Sequence, residues 1–389
     1  MANAFTDTSA LSGLVQTAYD RYVEFALRSQ PMIRSVADKR PAQQAMPGSS
    51  VVFSLYNDMS AASSALTETT DPDAVAIGAV STVTVTLAEY GNAALATRKL
   101  QLFSLSDVDP AIADMLAFNM ADSMDKVAMA KLITGTNVIY GGAITSTATI
   151  AAASTLTGAN IRKAVSRLRK NKAVPREGSL YWCGIHPEVS HDLRSESGSI
   201  GWRDMHAYSG EANANVWAGT IGTYEGAFFV ETPRMYNAKD GADQTALATA
   251  SAVSGVSAAF TIVAANAAFG GKAEVGDKIS GTNVGTAAKI TAISVGATNT
   301  TFTVDVANSG TVGTNTLTVT PVTRNYRSII AGKQALAEAV AQEPSVVIGP
   351  VTDKLMRFRP IGWYGVLGFS LYRDEALYRL EHGSSIGAL

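Results

Sequence analysis

Cys183, His186 and His191 stand in a C-x-x-H-x-x-x-x-H string, where a thiol and two imidazoles crowd together. Such a set could hold a metal ion, or pair a cysteine nucleophile with a histidine base. A structural reading competes with it and is favoured. Cys183 sits in the apolar run LYWCGI, where a small side chain is core packing, and no fourth ligand is near in sequence. The run FGGKAEVGDK has glycines and a lysine but lacks G-x-x-x-x-G-K-[ST], so it reads as a β-turn region. Glu68, Asp71 and Asp73 form an acidic tip with too few alternating oxygens for a calcium loop. Residues 162–176 hold seven Lys or Arg in 15, which could meet phosphate or an acidic partner, though a solvated helix face is favoured. The sequence therefore offers no catalytic residue, no metal ligand set and no cofactor site.

The elements that would position these residues follow from periodicity. Residues 8 to about 40 read as helical, with Leu14, Ala18, Tyr22 and Phe25 at three-to-four spacing and interruptions at Pro31 and Pro41. SVVFSLYND (50–58) and STVTVTLAEY (81–90) alternate with period two and flank a Ser/Ala/Thr-rich segment with the turn signal Asp71-Pro72-Asp73. They predict a hairpin projecting from the body. A two-stranded arm is marginal alone and gains stability against another chain.

Asp109 as cap and Pro110 at the first helical position open a long helix to about residue 133, with Gly135 as its stop. Ile112, Leu116, Met120, Met124 and Val127 share one face of this spine. TGANIRKAVSRLRKN predicts a helix with Ile161, Val165 and Leu168 inward, SLYWCGIH a buried strand, and HPEVSHDLRS a short helix. IGTYEGAFFVETPRM predicts two strands about Gly226. AGKQALAEAVAQEP reads as helical, and the closing stretch from residue 354 as two strands about Gly365 to Gly368.

Composition breaks at residues 241–320. That window has seven charged residues in 80 and no Arg or Pro, and Ala, Gly, Ser and Thr supply 48 of the 80. Short β-like runs recur there at the spacing of an all-β module, against the alternative of a low-complexity linker. For the whole chain of 389 residues, 31 basic side chains meet 33 acidic ones, a net charge of −2 that argues against a free nucleic-acid binder. A 47% hydrophobic share argues against disorder. No apolar run reaches the roughly 18 residues of a membrane span. One cysteine excludes an internal disulfide, and MANAFTDTSALSG lacks the features of a secretory signal, so a protein made inside a cell is expected.

In combination, LAEYGNAALATRK, DPAIADMLAFNMADSMDKVAMAKLITGTN, YWCGIHPEVSHDLR, IGTYEGAFFVETPRM and RPIGWYGVLGFSLYRDEALYRLE resemble the major capsid proteins of tailed bacteriophages, with the Hong Kong 97-type fold. VGDKISGTNVGTAAKITAIS is similar to surface motifs of inserted β modules in such proteins, which implies a knob on the shell exterior.

The resemblance implies an α+β fold cut as follows: N-terminal arm 1–47, extended hairpin 48–92, peripheral domain with spine helix 93–150, and axial domain 151–238. An inserted all-β domain would span 239–322, the second axial part 323–350, and the returning C-terminal strands 351–389. It implies no enzyme and no cofactor, but a shell of pentamers and hexamers around double-stranded DNA held without sequence specificity. Scaffolding, portal and decoration proteins are further partners, and no membrane is. The place would be the virion capsid, assembled in the bacterial cytoplasm. Tyr22, Phe25, Phe53, Tyr56, Glu68, Asp71, Asp73, Val83 and Val85 are the expected contacts between subunits. An encapsulin-like compartment shell, a hydrolase using Cys183 and His186, and a β-rich tail or adhesin protein remain as alternatives.

Overall fold

Two sheets and one long helix organise the body of the chain. The computed structural model describes residues 29–41, 50–56, 80–99, 108–196, 220–244, 247–254, 259–262, 273–296, 300–312, 314–350 and 357–386, with scattered positions between 59 and 71 and Leu355. A 3-10 turn at Ile33–Val36 leads into β1 (Ala37–Pro41). The hairpin strands are β2 (Ser50–Tyr56) and β3 (Val80–Thr86), followed by β4 (Ala88–Thr97). The spine is α1 (Val108–Leu132); β5 (Val138–Tyr140), α2 (Gly158–Lys170), β6 (Tyr181–Ile185) and α3 (Pro187–Ser195) come next. Then follow β7 (Thr220–Tyr224), β8 (Ala227–Glu231) and β9 (Asn237–Asp243). The compositional window holds β10 (Leu247–Ser254), β11 (Ala259–Ile262), β12 (Lys278–Ser280), β13 (Ile290–Val295), β14 (Thr300–Val304) and β15 (Thr314–Thr320). The chain closes with β16 (Val322–Ala331), β17 (Leu336–Ile348), β18 (Phe358–Leu371) and β19 (Leu377–His382).

The larger sheet of the body runs β5-β19-β16-β6-β8-β7, with β9 also paired to β16. Strand parity assigns its faces. Tyr181, Cys183 and Ile185 pack with Ile161, Val165 and Leu168 of α2 and Val189 and Leu193 of α3. Trp182, Val230, Ile329 and Leu377 belong instead to the core that holds Met124, Ala128, Met129 and Leu132 of the spine. That same core takes in Leu336, Val340, Ile361, Trp363 and Phe369 of the second sheet, ordered β1-β17-β18-β4. The spine thus binds both sheets together. At about 1.5 Å per residue it is roughly 37 Å long. Of its expected face, Leu116 and Met124 are buried, and Ile112, Met120 and Val127 are half-buried against the same core.

Several expectations are corrected. Residues 29–41, assigned to the arm and to a helix, form a 3-10 turn and a strand that belong to the body. Ile33 and Val36 are buried, and β1 pairs in parallel with β17. Asp125 of the spine accepts the backbone N–H of Met32 (2.8 Å) and of Arg34 (2.9 Å), which ends any helical continuation there. Residues 331–344 are not helical. Leu336, Ala337, Glu338, Ala339 and Val340 are all buried in a strand flanked on both sides, and this burial overrides the helix preference of Ala, Glu and Gln. The cut 323–350 also fails, because β16 lies in one sheet and β17 in the other.

Gly365 and Gly368 do not make a turn, since both lie inside the continuous strand β18. A Cβ on Gly365 would stand 2.8 Å from Pro344, and one on Gly368 would strike the Thr86 backbone, so these glycines allow close approach. The two C-terminal strands are therefore β18 and β19, and they fall in different sheets.

The six window strands form one antiparallel sheet, β12-β15-β10-β11-β14-β13. Its ends meet: Ile279 N–H donates to Ala288 O (2.9 Å) and Ile290 N–H to Asp277 O (2.9 Å), which closes the sheet into a small barrel. Ile279, Ile290, Phe302, Val304, Leu317 and Val319 fill it. Because β9 pairs with β16 of the body, the structural neck lies at Gln244 and Pro321, joined by a 2.9 Å hydrogen bond, and not at 239 and 322.

Candidate assembly surface

The hairpin is two-faced. β2 and β3 pair in full register from Ser50↔Thr86 to Tyr56↔Val80. On one face Phe53 (3% exposed) and Val85 (0%) are buried with Ala337, Ala339 and Tyr372 of the chain's own body, and Val51, Leu55 and Val83 pack beside them. The Phe53 and Tyr372 rings meet edge-on at 5.6 Å. On the other face Val52, Tyr56 and Val80 are exposed, Tyr56 at 75%. Thr82, Thr84 and Thr86 share that outward side.

This splits the expected contacts between subunits. Phe53 and Val85 are consumed by the body and offer no surface to a neighbour, and Val83 is half-buried beside them. Tyr56, Glu68 and Asp71 are exposed. Tyr22, Phe25 and Asp73 lie outside the described residues. Sequence reasoning missed other exposed apolar groups: Leu95 on β4, Met115 on the spine, and Val346, Val347 and Ile348 at the end of β17. Strand alternation marks such positions but does not say which face stays uncovered. A pocket of about 430 Å³ opens between β4 and the spine, lined by Ala93, Ala94, Ile112, Met115 and Phe118.

Cys183, His186 and His382 are committed to structure. Cys183 is fully buried, and desolvation pushes its thiol up, away from thiolate. His186 caps α3, where its Nδ1 accepts the Glu188 N–H at 3.3 Å, and burial lowers its basicity. His191 is exposed. His382 is buried, with Nε2 2.9 Å from Ser328 Oγ and Nδ1 3.0 Å from Gly383 O. GSSIG at 383–387 carries the letters of a serine nucleophile elbow. Yet Ser385 is bonded to Asp192 through both its N–H and its hydroxyl, and among the described residues no imidazole bonds it. Among the described residues, no three His, Cys, Asp or Glu cluster as a metal site.

At least three of the seven basic residues of the run have partners inside the chain. Arg162 pairs with Glu225 at 2.9 Å, Arg176 with Asp38 at 3.6 Å and with Ser35 O, and Arg167 lies over the Tyr378 ring. What remains on α2 is a solvated face.

Residues 131–376 match the family model described as phage capsid protein. The chain belongs to that family. No curated protein matches it. Among solved structures, the capsid of cyanophage Pam1 matches with a TM-score of 0.61 at 12% identity, over 99% of this chain and 100% of that one. The capsid of cyanophage P-SCSP1u gives 0.59 at 13%, over 96% and 94%. The capsid of Helicobacter pylori bacteriophage KHP30 gives 0.59 at 13%, over 98% and 99%. Identities this low speak for the fold alone. The fold is the α+β capsid fold of the Hong Kong 97 type, and this member of the family is a phage capsid protein of the virion shell.

Proposed function

We propose that this chain is the major subunit of an icosahedral shell, built as pentamers and hexamers around double-stranded DNA. The two-faced hairpin carries the reading. One face is spent on the subunit's own sheet, which aims the other face, with Val52, Tyr56 and Val80, at a second copy. A surface of this kind is self-complementary or follows a ring, as closed shells require. Tyr56, Glu68 and Asp71 contact the neighbour, and the tip's acids act there as polar rim. The inserted barrel sits on the exterior, where decoration proteins meet it, while scaffolding and portal proteins act during assembly in the bacterial cytoplasm. DNA is held without sequence reading, in keeping with a net charge of −2. No catalysis is assigned.

Electron microscopy of the purified protein, with nuclease-protected nucleic acid measured in the particles, tests this. Closed particles holding DNA when made in the phage are expected. Closed particles with an enzyme cargo and no genome would replace it with a compartment shell. A monomeric or filamentous state would overturn assembly altogether.

A further inference from the structure

The barrel meets the body through more than its neck. Lys239 on β9 and Arg324 on β16 stand directly opposite each other in the pairing of those strands. Two like charges in that register repel. The turn just before β12 answers both. Lys239 Nζ donates to Asp277 Oδ1 (2.6 Å) and reaches Glu274 Oε2 (2.9 Å). Arg324 Nη2 donates to the same Glu274 oxygen at 2.9 Å.

Asp277 is fastened on its own side too. Its Oδ2 accepts the Glu274 N–H at 2.9 Å, and its Oδ1 takes the Val322 N–H at 3.4 Å. The Asp277 side chain is 2% exposed and that of Lys239 11%, so the pair is shielded from water and salt. Gly276 has φ +97°, and a Cβ there would stand 3.2 Å from the Lys239 stem. The glycine both makes the turn and lets the lysine lie across it. An outer pair, Lys278 to Asp243 at 2.7 Å, is exposed.

We propose that the turn 273–277 is a charge latch that holds the inserted barrel in one orientation on the capsid body. Glu274 and Asp277 neutralise a cation pair that the body carries at the mouth of the neck. Without the latch, two adjacent strand ends tied at Gln244, by its N–H to Pro321 O and its Nε2 to Thr323 Oγ1 (2.9 Å each), would form a narrow neck about which the barrel could swing. With the latch closed, each copy presents its barrel in the same direction. The latch concerns the barrel's attachment and stands whether or not the shell architecture proposed above is correct.

Hydrogen exchange on the full chain tests it. Lys239→Met with Asp277→Asn removes the buried charges while keeping side-chain volume, so that no buried ion is left alone. The amides of 274–277 and of Val322 should then exchange at least about tenfold faster, with β14 and β15 unchanged. Glu274→Gln is the milder variant and should give about a threefold rise at the same amides. Lys278→Met should leave them as they are. Electron-spin distances between labels at Val306→Cys and Lys333→Cys, in labelled chain diluted with unlabelled chain, should broaden in the double variant. Unchanged exchange at 274–277 in both latch variants would overturn the proposal. So would an equal rise throughout β14 and β15, because the charges would then support the barrel's own fold. An unbroadened distance distribution would refute the single-orientation claim.

Discussion

Acidification should destabilise this capsid subunit through His382, ahead of its carboxylates. The imidazole is fully buried at the end of β19. Ser328 Oγ and Gly383 O hold its two nitrogens, the Tyr326 ring stacks at 6.3 Å, and Asp192, Glu381 and His186 are the charged or titratable neighbours. Desolvation dominates and lowers the pKa from 6.5 to about 4, outweighing the opposite pull of the Gly383 carbonyl and the nearby acids. The native state therefore keeps the ring neutral where the unfolded chain takes up a proton. The resulting stability is fully present above pH 6.5 and is lost as pH falls toward 4. Linkage gives a loss of about 2 kcal/mol at pH 5 and about 3 kcal/mol at pH 4. His382→Gln keeps a donor and an acceptor but cannot titrate. Urea unfolding of wild type and variant, from pH 7 to pH 4, should show the two stabilities converging by that amount. Parallel curves over the whole range would refute the assignment.

Phe53→Ala should cost about 3 kcal/mol of local stability and release β2 and β3 to hydrogen exchange, because it empties the contact with Tyr372. Tyr56→Ala should leave unfolding within about 0.5 kcal/mol yet lower the yield of closed particles, as seen by sedimentation. Arg34→Met leaves Glu338, fully buried, without its 2.5 Å partner and should cost roughly 3 kcal/mol, the low end of the range because Arg34 is partly exposed. Replacing 245–320 with a short Gly-Ser link should preserve particle assembly. The wider deletion of 239–322 should fail or lose yield, since it removes most of β9 from the pairing with β16.

What the sequence shows of this fold depends on how local the deciding physics is. α2 and α3 are legible because Ile161, Val165 and Leu168 of the first, and Val189 and Leu193 of the second, repeat at helical spacing on one buried face. β6 is legible as a short apolar run. β17 is not, because its Ala-, Glu- and Gln-rich letters favour helix and the partners that make it a strand are far away, at Ala37 and Leu371. Gly365 and Gly368 read as turn signals because glycine marks both turns and close contacts, and only the neighbours Pro344 and Thr86 decide between them. The hairpin is a mixed case. Alternation separates the Phe53 face from the Tyr56 face, but both carry apolar groups. Which face belongs to the subunit depends on Tyr372 and Ala339, more than 250 residues on.

The place of the insertion follows from the same topology. β9 and β16 are antiparallel neighbours that end together at Asp243 and Val322, so the body's two chain ends already meet there. Inserting some 75 residues at that point closes no new loop in the body and adds little loop-closure entropy to its folding. Elsewhere the chain crosses between sheets, with β16 in one, β17 and β18 in the other and β19 back in the first. An insertion at those crossings would pry apart the core that the spine shares with both sheets. A barrel closed on itself, hung from adjacent strand ends, escapes that difficulty. It exposes the body to a different one, a free hinge. The Lys239, Glu274, Asp277 and Arg324 cluster lies at that hinge, where a fold of this connectivity needs a restraint.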